Sequence, residues 1–317
     1  MGTKVLQPRA VELAGLPDHV TVYEVGPRDG LQNEPAVVPL EIKLELIARL
    51  VAAGLKSVEV TSLVRPDAVP QLADAEALLA RLPVTPGVRH PVLVPNQRGL
   101  DRALANGVHE IAVFASATES FAQRNLKRSR ADSLHVMGEV AQRAREHGMA
   151  VRGYVSMCFG DPWEGQVDQG EVVGVATELL AMGCGEVSLG DTIGVATPGA
   201  VRSLITRLVD AGAAPGTLAV HFHDTYGQAL ANTVEALRCG VTTVDASAGG
   251  LGGCPFAKSA TGNLATEDLV FMLDGLGVAT GVNLVEVART SLWLARRLGR
   301  PSPSRTVQAL ARGLEHD

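Results

Sequence analysis

The sequence of 317 residues has only four cysteines, few aromatic side chains and no excess of positive charge. Cys158, Cys184, Cys239 and Cys254 are widely scattered, which argues against a disulfide framework or a zinc knuckle and indicates a reducing, cytoplasmic compartment. The net charge of -6 lacks the basic excess that binds nucleic acid or an anionic membrane surface. We therefore expect no nucleic-acid partner.

Long apolar runs are also absent. No stretch reaches the roughly 18 residues that a membrane span needs, and residues 1–20 lack the charged and then apolar pattern of a signal peptide. We therefore expect no membrane partner and a location in the cytoplasm. Hydrophobic residues nevertheless make up 46% of the chain, which is enough to form a sizeable core.

A repeated strand-and-helix unit is the main pattern in the chain. Five glycines each follow an apolar-periodic stretch and are expected to end a helix: Gly54, Gly107, Gly148, Gly183 and Gly240. Eight segments are predicted strands, namely residues 21–25, 57–61, 91–94, 110–114, 151–155, 186–189, 218–222 and 243–246. Eight units favour a closed (β/α)8 TIM barrel over an open sheet, because no GxGxxG fingerprint follows the first strand.

The domain organisation follows from this repeat. The whole chain, 1–317, is predicted to be one α/β domain, with the barrel at about residues 20–262 and a C-terminal helical cap at about residues 263–317. Helices are predicted at 41–53, 267–276 and 283–298. Residues 301–317 contain two prolines and a polar start, so this last stretch is expected to fray.

Polar side chains follow the predicted strands at the end where barrel enzymes hold their active sites. They are Arg28, Asp29, Gln32, Glu59, Thr61, Ser62, Asp191, Thr192, His221, His223, Asp224 and Asn263. His221 and His223 lie on one face of a strand, and two imidazoles opposite the carboxylate of Asp29 predict a site for Mg²⁺, Mn²⁺ or Zn²⁺. The alternative is that this pair of histidines is structural.

Three of the polar residues have a more specific interpretation. Arg28 is placed to stabilise a developing negative charge, with a simple ion pair to Asp29 as the alternative. Glu59 is a charge in an apolar strand and needs a partner, either Arg28 or a metal-bound water, with an unrelated structural salt bridge as the alternative. Cys254 follows a glycine-rich run, so it is predicted to move over a bound substrate and transfer a proton, unless it is incidental to a flexible turn.

Four motifs occur in order along the chain. They are GPRDGLQNE at 26–34, SLGDTIG at 188–194, HFHDTYGQALAN at 221–232, and GLGGCPFA with TGNLATEDLV at 250–270. Together they resemble the 3-hydroxy-3-methylglutaryl-CoA lyases of the DRE-TIM metallolyase group, over about residues 20–284. The resemblance implies a TIM barrel and a divalent-metal-dependent retro-Claisen cleavage of 3-hydroxy-3-methylglutaryl-CoA to acetoacetate and acetyl-CoA. It also implies a place in leucine degradation and ketone body formation.

The resemblance further implies roles for single residues. The ligands of the cation, Mg²⁺ or Mn²⁺, would be Asp29, His221, His223 and Asn263. Arg28 would stabilise the enolate oxygen of the departing acetyl-CoA, and Cys254 would protonate its carbon. The base that takes the substrate's hydroxyl proton would be His221 or Asp29, and the sequence leaves this choice open. Substrate contacts or supporting positions are expected for Gln32, Glu59, Ser62, Asp191 and Thr192.

A basic run at residues 123–130 is a hypothetical contact for the phosphates of coenzyme A, through Arg124 and Lys127. A solvated surface is the alternative interpretation of this run. Two departures from the family pattern, Pro35 in place of lysine and residues 156–162 without the usual flanking cysteines, leave a longer branched 3-hydroxyacyl-CoA as an alternative substrate.

Two other functions are alternatives to the lyase. A synthase of the same barrel group, which condenses an acyl-CoA with a 2-oxoacid, usually carries an additional C-terminal region for which we find no counterpart. A non-catalytic barrel that binds a metal or a partner protein is disfavoured by the intact set of ligands, base and acid. A homodimer is compatible with the resemblance.

Overall fold

The computed structural model describes residues 7–253 and 262–314 and confirms the predicted α/β barrel. Its parallel strands are β1 (Thr21–Glu24), β2 (Ser57–Val58), β3 (Thr61–Ser62), β4 (Val92–Leu93), β5 (Glu110–Ser116), β6 (Ala150–Ser156), β7 (Glu186–Asp191), β8 (Leu218–Phe222) and β9 (Thr243–Ala246). They form one sheet in the order β2-β1-β9-β8-β7-β6-β5-β4-β3.

The sheet closes on itself through its divided second strand. β2 pairs with β1, whereas β3, only a few residues further along, pairs with β4. The two residues between them continue the contacts, because Glu59 N lies 2.9 Å from Glu24 O and Val60 N lies 3.1 Å from Pro91 O. The eight predicted strands therefore correspond to nine observed ones, and residues 57–62 join the two edges of the sheet into a barrel.

At least one helix follows each strand of the barrel, when β2 and β3 are counted as one divided strand. The helices are α1 (Leu40–Ala52), α2 (Ala75–Arg81), α3 (Gln97–Ala105), α4 (Glu119–Leu126), α5 (Arg130–Glu146), α6 (Gln169–Ala181), α7 (Pro198–Asp210), α8 (Ala229–Arg238), α9 (Thr266–Gly275), α10 (Leu284–Leu298) and α11 (Arg305–Leu314). α9 follows the last strand, so it belongs to the repeat, while α10 and α11 lie beyond it. Within the described ranges, no helix is long and apolar enough to cross a membrane.

The helices take their places because one face of each is apolar. In α1, Leu46, Ile47 and Leu50 are buried at helical spacing, as the sequence predicts. All five predicted helix-ending glycines have positive φ. At Gly54 the reason for glycine is also steric, because an added Cβ would lie 2.2 Å from the carbonyl oxygen of Gly281.

The expectation that residues 301–317 fray is wrong for most of this segment. α11 buries Val307 and Leu310, and it packs against α9 and α10. Its first turn is held by a residue that is distant in sequence, because the carboxylate of Asp268 accepts a hydrogen bond from Thr306 N at 2.7 Å. A distant carboxylate of this kind gives no signal in the local sequence. These contacts support our proposal that the chain is a single domain.

Candidate active site and metal centre

A cavity of about 490 Å³ opens at the carboxyl ends of the strands. Six of the predicted site residues line it together: Arg28, Asp29, Gln32, Thr192, His221 and His223. Apolar side chains, among them Leu93, Phe114 and Tyr154, form another part of its wall. The cavity thus combines a charged and a hydrophobic surface, as small-molecule sites commonly do.

Arg28 and Asp29 are carried by a short π-helix, Gly26–Gly30, directly after β1. The backbone N–H groups of Arg28, Asp29 and Gly30 all lie within 3.2 Å of the carbonyl oxygen of Val25. Such turns are rare and are frequently found at functional sites. The turn places two consecutive charged side chains at the mouth of the barrel.

Two carboxylates hold the guanidinium of Arg28, which is only 6% exposed. Nη1 donates to Asp29 Oδ1 at 2.7 Å, and Nε donates to Glu59 Oε1. Glu59 also accepts hydrogen bonds from the hydroxyls of Tyr23 and Tyr154, at 3.0 and 2.8 Å. Burial disfavours the charged guanidinium, but Glu59 and Asp29 outweigh burial and raise the pKa of Arg28. Arg28 is therefore a fixed positive charge at the cavity wall.

Asp29, His221 and His223 form a group that could hold a metal ion, since each offers a ligand atom within 4.8 Å of the others. Burial opposes ionisation of Asp29, yet Arg28 and the histidines hold the pKa of its carboxyl below the ordinary value. Burial, and then His221, lowers the pKa of His223 to about 4, so this ring is neutral near pH 7. An anionic oxygen and a neutral imidazole are what a divalent cation requires.

Asn263 joins this group from the segment that follows β9 and lies beside the end of β8. Its backbone forms a β-bridge with His223, and its Nδ2 donates to Asp29 Oδ2 at 2.8 Å. Asn263 Oδ1 and His223 Nδ1 are buried and have no hydrogen-bond partner among the described residues. Buried polar atoms without partners are rare, and bound cations commonly account for them. The residues present therefore fit a divalent cation.

Asp245 is a site residue that the sequence analysis missed. Its Oδ2 lies 3.2 Å from His221 Nδ1, and its carboxylate also binds Arg152. Burial opposes its ionisation, but Arg152 and then His221 lower the pKa of Asp245 below its ordinary value. Asp245 is a charge within the apolar strand β9, which is the same signal that singled out Glu59.

Two of the predicted residues that line the cavity, Gln32 and Thr192, also hold neighbouring groups in place. Gln32 donates to Asp29 Oδ1 at 2.9 Å, so it helps to orient that carboxylate. Thr192 Oγ1 accepts a hydrogen bond from Met157 N at 2.8 Å. Met157 has a φ of 62°, which is unusual for a residue other than glycine, and Thr192 supports this strained turn after β6.

Asp191 and Ser62 hold backbone groups of their own loops. The carboxylate of Asp191 accepts hydrogen bonds from Val195 N and Ala196 N, at 2.9 and 3.0 Å, and burial raises the pKa of Asp191 to about 6. Ser62 is buried, and its hydroxyl accepts a hydrogen bond from Val64 N at 3.2 Å. Both residues therefore shape the loops around the cavity.

The basic run lies at the end of α4, beside the cavity. Asn125 and Leu126 line the cavity, and Lys127 is exposed just after them. The guanidinium of Arg124 lies over the ring of Trp163, 4.4 Å from its centroid. The run therefore borders the cavity, with Arg124 already engaged by an aromatic ring.

Cys254 lies outside the described residues, so its predicted role as an acid stays a prediction. The described stem of its loop leads to the site, since Gly253 lines the cavity. Two buried carboxylates hold this stem. Glu24 accepts hydrogen bonds from Ala248 N at 2.8 Å and Thr266 Oγ1 at 2.6 Å, and Glu267 accepts one from Gly249 N at 3.0 Å.

These two carboxylates should make the protein less stable as the pH rises. Burial raises the pKa of Glu24 to about 7 and that of Glu267 to about 8, from 4.5. The folded state therefore binds protons that the unfolded state has already lost, and each group lowers the free energy of unfolding by about 1.4 kcal/mol per pH unit in that window. We expect the free energy of unfolding of Glu267→Gln to fall less steeply between about pH 5 and pH 7 than that of the parent protein, by about 1.4 kcal/mol per pH unit.

Urea unfolding at a series of pH values measures this slope. Glu139→Gln is the matched control, because Glu139 is exposed on α5 and should leave the slope unchanged. A Glu267→Gln variant with the same pH dependence as the parent protein would show that Glu267 is ionised in the folded state.

Comparisons with known proteins agree with this architecture. A sequence model of the family described as HMGL-like matches residues 19–293. A Rattus norvegicus protein named 3-hydroxy-3-methylglutaryl-CoA lyase, cytoplasmic, is 47% identical over 300 residues, which cover 95% of this chain and 87% of that protein. A Bos taurus protein named hydroxymethylglutaryl-CoA lyase, mitochondrial, is 48% identical over 318 residues, with 96% and 97% covered.

Solved structures give the same result. The crystal structure of hydroxymethylglutaryl-CoA lyase from Pseudomonas aeruginosa superimposes with a TM-score of 0.91 at 47% identity, covering 94% of this chain and 99% of that one. An HMG-CoA lyase from Acinetobacter baumannii, in complex with coenzyme A and 3-methylmalate, has a TM-score of 0.88 at 33% identity, covering 94% and 97%. On the sequence match and these likenesses, the chain belongs to the HMGL-like family.

Proposed function

We propose that the protein cleaves 3-hydroxy-3-methylglutaryl-CoA to acetoacetate and acetyl-CoA with the help of Mg²⁺ or Mn²⁺. The observation that carries the proposal is that one cavity joins the fixed charge of Arg28 to the donor group of Asp29, His221 and His223. The names of the relatives support the reaction, and the structure solved with coenzyme A supports a CoA thioester as substrate. The same reaction supports a role in leucine degradation and ketone body formation.

Four side chains would hold the cation: Asp29, His221, His223 and Asn263. When bound, a divalent cation polarises the oxygen atoms of a substrate hydroxyl or carboxylate and lowers the pKa of the hydroxyl. The remaining steps belong to the side chains of the protein. They are removal of the hydroxyl proton, stabilisation of the enolate and protonation of its carbon.

His221 is better suited than Asp29 to remove the proton from the C3 hydroxyl. Asp29 already accepts hydrogen bonds on both oxygens, from Arg28 and Gln32 on Oδ1 and from Asn263 on Oδ2. Burial raises the pKa of Asp29, but Arg28 and then His221 and His223 hold it below its ordinary value, which makes Asp29 a weak base. His221 uses Nδ1 to contact Asp245, so Nε2 is the nitrogen that remains, and it would take the proton only in a state in which it does not also bind the cation.

Arg28 would stabilise the charge that forms when the C2–C3 bond breaks. The electrons of that bond move to the thioester and give the enolate of acetyl-CoA, while the C3 oxygen, having lost its proton, becomes the ketone of acetoacetate. A guanidinium held by Glu59 and Asp29 is oriented before the reaction, which is the condition for efficient stabilisation of an oxyanion. Cys254 is our proposed donor of the proton that completes acetyl-CoA.

Incubation of the purified protein with Mg²⁺ and 3-hydroxy-3-methylglutaryl-CoA tests the reaction. We expect acetoacetate and acetyl-CoA in equal amounts, and no product after the metal has been removed with a chelator. Cys254→Ala is expected to lower the rate by roughly 10² or more, because a positioned acid contributes about that factor. A metal-loaded sample that forms no product would show that the acyl group is wrong, and a longer branched 3-hydroxyacyl-CoA would then be the substrate to test.

Three further properties are proposals. Lys127, at the cavity border, is placed to contact a phosphate of coenzyme A, and Arg124 would contribute only by leaving Trp163. The cytoplasm is the proposed location, supported by the relative named as cytoplasmic, although a second relative is named as mitochondrial. A homodimer is the proposed assembly.

A further inference from the structure

We propose that Asp245 is a positioning residue that keeps the proton of His221 on Nδ1 and thereby leaves Nε2 free for the cation or for the substrate proton. The catalytic consequence rests on the proposed function, whereas the position of the proton is a property of the chain alone. Asp245 and His221 are direct partners in the ladder between β9 and β8. Their side chains therefore meet inside the barrel without any loop having to place them.

The carboxylate of Asp245 is surrounded by donors. Its Oδ1 accepts from Arg152 Nη2 at 2.6 Å, and its Oδ2 accepts from Arg152 Nη1 at 3.2 Å and from Ser188 Oγ at 3.0 Å. Asp245 is 1% exposed and faces an arginine that cannot lose its charge. A carboxylate in this position has no proton to give, so its 3.2 Å contact with His221 Nδ1 requires the hydrogen to be on the histidine.

Arg152 cannot turn away from Asp245, because its own surroundings fix it. The guanidinium lies 3.9 Å from the ring centroid of Tyr23 and 4.7 Å from that of Tyr154, and Nε donates to Glu186 at 2.7 Å. The hydroxyls of the same two tyrosines bind Glu59, which holds Arg28. One buried network therefore orients both Arg28 and His221 at the cavity.

The variant Asp245→Asn should move the proton on His221. Either orientation of the new amide loses one hydrogen bond from Arg152. We expect the shorter contact, from Nη2 to the Oδ1 position, to keep the oxygen, so that the amide nitrogen takes the Oδ2 position beside His221 and the longer contact with Nη1 is lost. An amide donates a hydrogen bond, and His221 Nδ1 would then become an acceptor. The proton would move to Nε2, the nitrogen that the cation or the substrate proton needs.

Nitrogen NMR of the histidine-labelled protein, without metal or substrate, measures this directly at about pH 8, above the ordinary histidine pKa. His221→Gln assigns the signal. We expect the parent protein to carry the proton on Nδ1 and Asp245→Asn to carry it on Nε2. Ser188→Ala is the matched control, since it removes a donor from the same Oδ2 atom but keeps the carboxylate and the proton position.

Metal titration gives a second measurement. Asp245→Asn is expected to weaken the binding of Mn²⁺ by about 10- to 100-fold, the usual cost of losing a partner that orients a metal-binding histidine, while Ser188→Ala changes it much less. A parent His221 that carries its proton on Nε2, or on both nitrogens, would overturn the proposal. This measurement stands even when Asp245→Asn does not fold. Failure of the lyase assay with the expected NMR result would reject the proposed reaction and leave the role of Asp245 intact.

Discussion

Replacement of Arg28 by lysine is expected to lower kcat by about 10²- to 10³-fold, with a smaller effect on KM. Arg28 uses Nε for Glu59 and Nη1 for Asp29, so Nη2 is the donor that remains for the enolate oxygen. Lysine has a single nitrogen at the end of its chain, and the two carboxylates would hold it. The positive charge would be kept, but no donor would be directed at the substrate.

The lysine variant is more informative than alanine for a physical reason. Removal of the charge would leave Glu59, which is fully buried, beside a cavity without its cation, and the loss of one partner of a buried pair can cost several kcal/mol of stability. Steady-state kinetics and thermal unfolding should be measured together. Arg89→Lys is the control, because Arg89 pairs with Glu110 and Ser57 near the starts of their strands, at the other end of the barrel.

An unchanged kcat in Arg28→Lys, with the parent melting temperature, would contradict the assignment of Arg28 as the group that stabilises the enolate. The positive charge at position 28 would then serve only to stabilise the buried carboxylates beside it. A loss of activity that is equal in Arg28→Lys and Arg89→Lys would also contradict it, because both effects would come from the fold.

Replacement of His223 by glutamine is expected to weaken the binding of Mn²⁺ by at least about 10²-fold and to remove lyase activity in parallel. Loss of a partner that merely orients a ligand costs 10- to 100-fold in metal affinity, so loss of the ligand should cost more. His223 is suited to this role because its ring is buried and neutral near pH 7, and its ligand atom lies within 4.8 Å of those of Asp29 and His221. Calorimetry with Mn²⁺ gives the affinity, and the coupled assay gives the activity.

His135→Gln is the matched control for the metal prediction. His135 is exposed on α5, where its Nε2 lies 3.5 Å from the carboxylate of the exposed Glu139, so its replacement should leave both affinity and activity unchanged. Mn²⁺ binding that is equally tight in His223→Gln would show that His223 is not a ligand. The unpartnered oxygen of Asn263 would then need another explanation.

Much of the site could be predicted from the sequence, because a barrel places the residues that follow its strands at one end. The prediction brought together Arg28, Asp29, His221 and His223, and the structure places all four at one cavity. Asp245 was missed although it carries a readable signal, a charge inside an apolar strand. Its partners Arg152 and His221 are distant in sequence, and no local pattern shows that they converge.

The sequence by itself determined the class of the fold and the chemistry at the strand ends. Alternating strands and helices with glycine at the helix ends specify a barrel, because each signal acts over a few neighbouring residues. Only the tertiary structure decided which charged groups lie beside one another. Three features depend on contacts between distant segments. They are the pairing of Glu59 with Arg28, the contact of Asp268 with the start of α11, and the nitrogen of His221 that faces Asp245. Burial then sets their strength, because a charge taken out of water must be compensated by whichever group the fold places beside it.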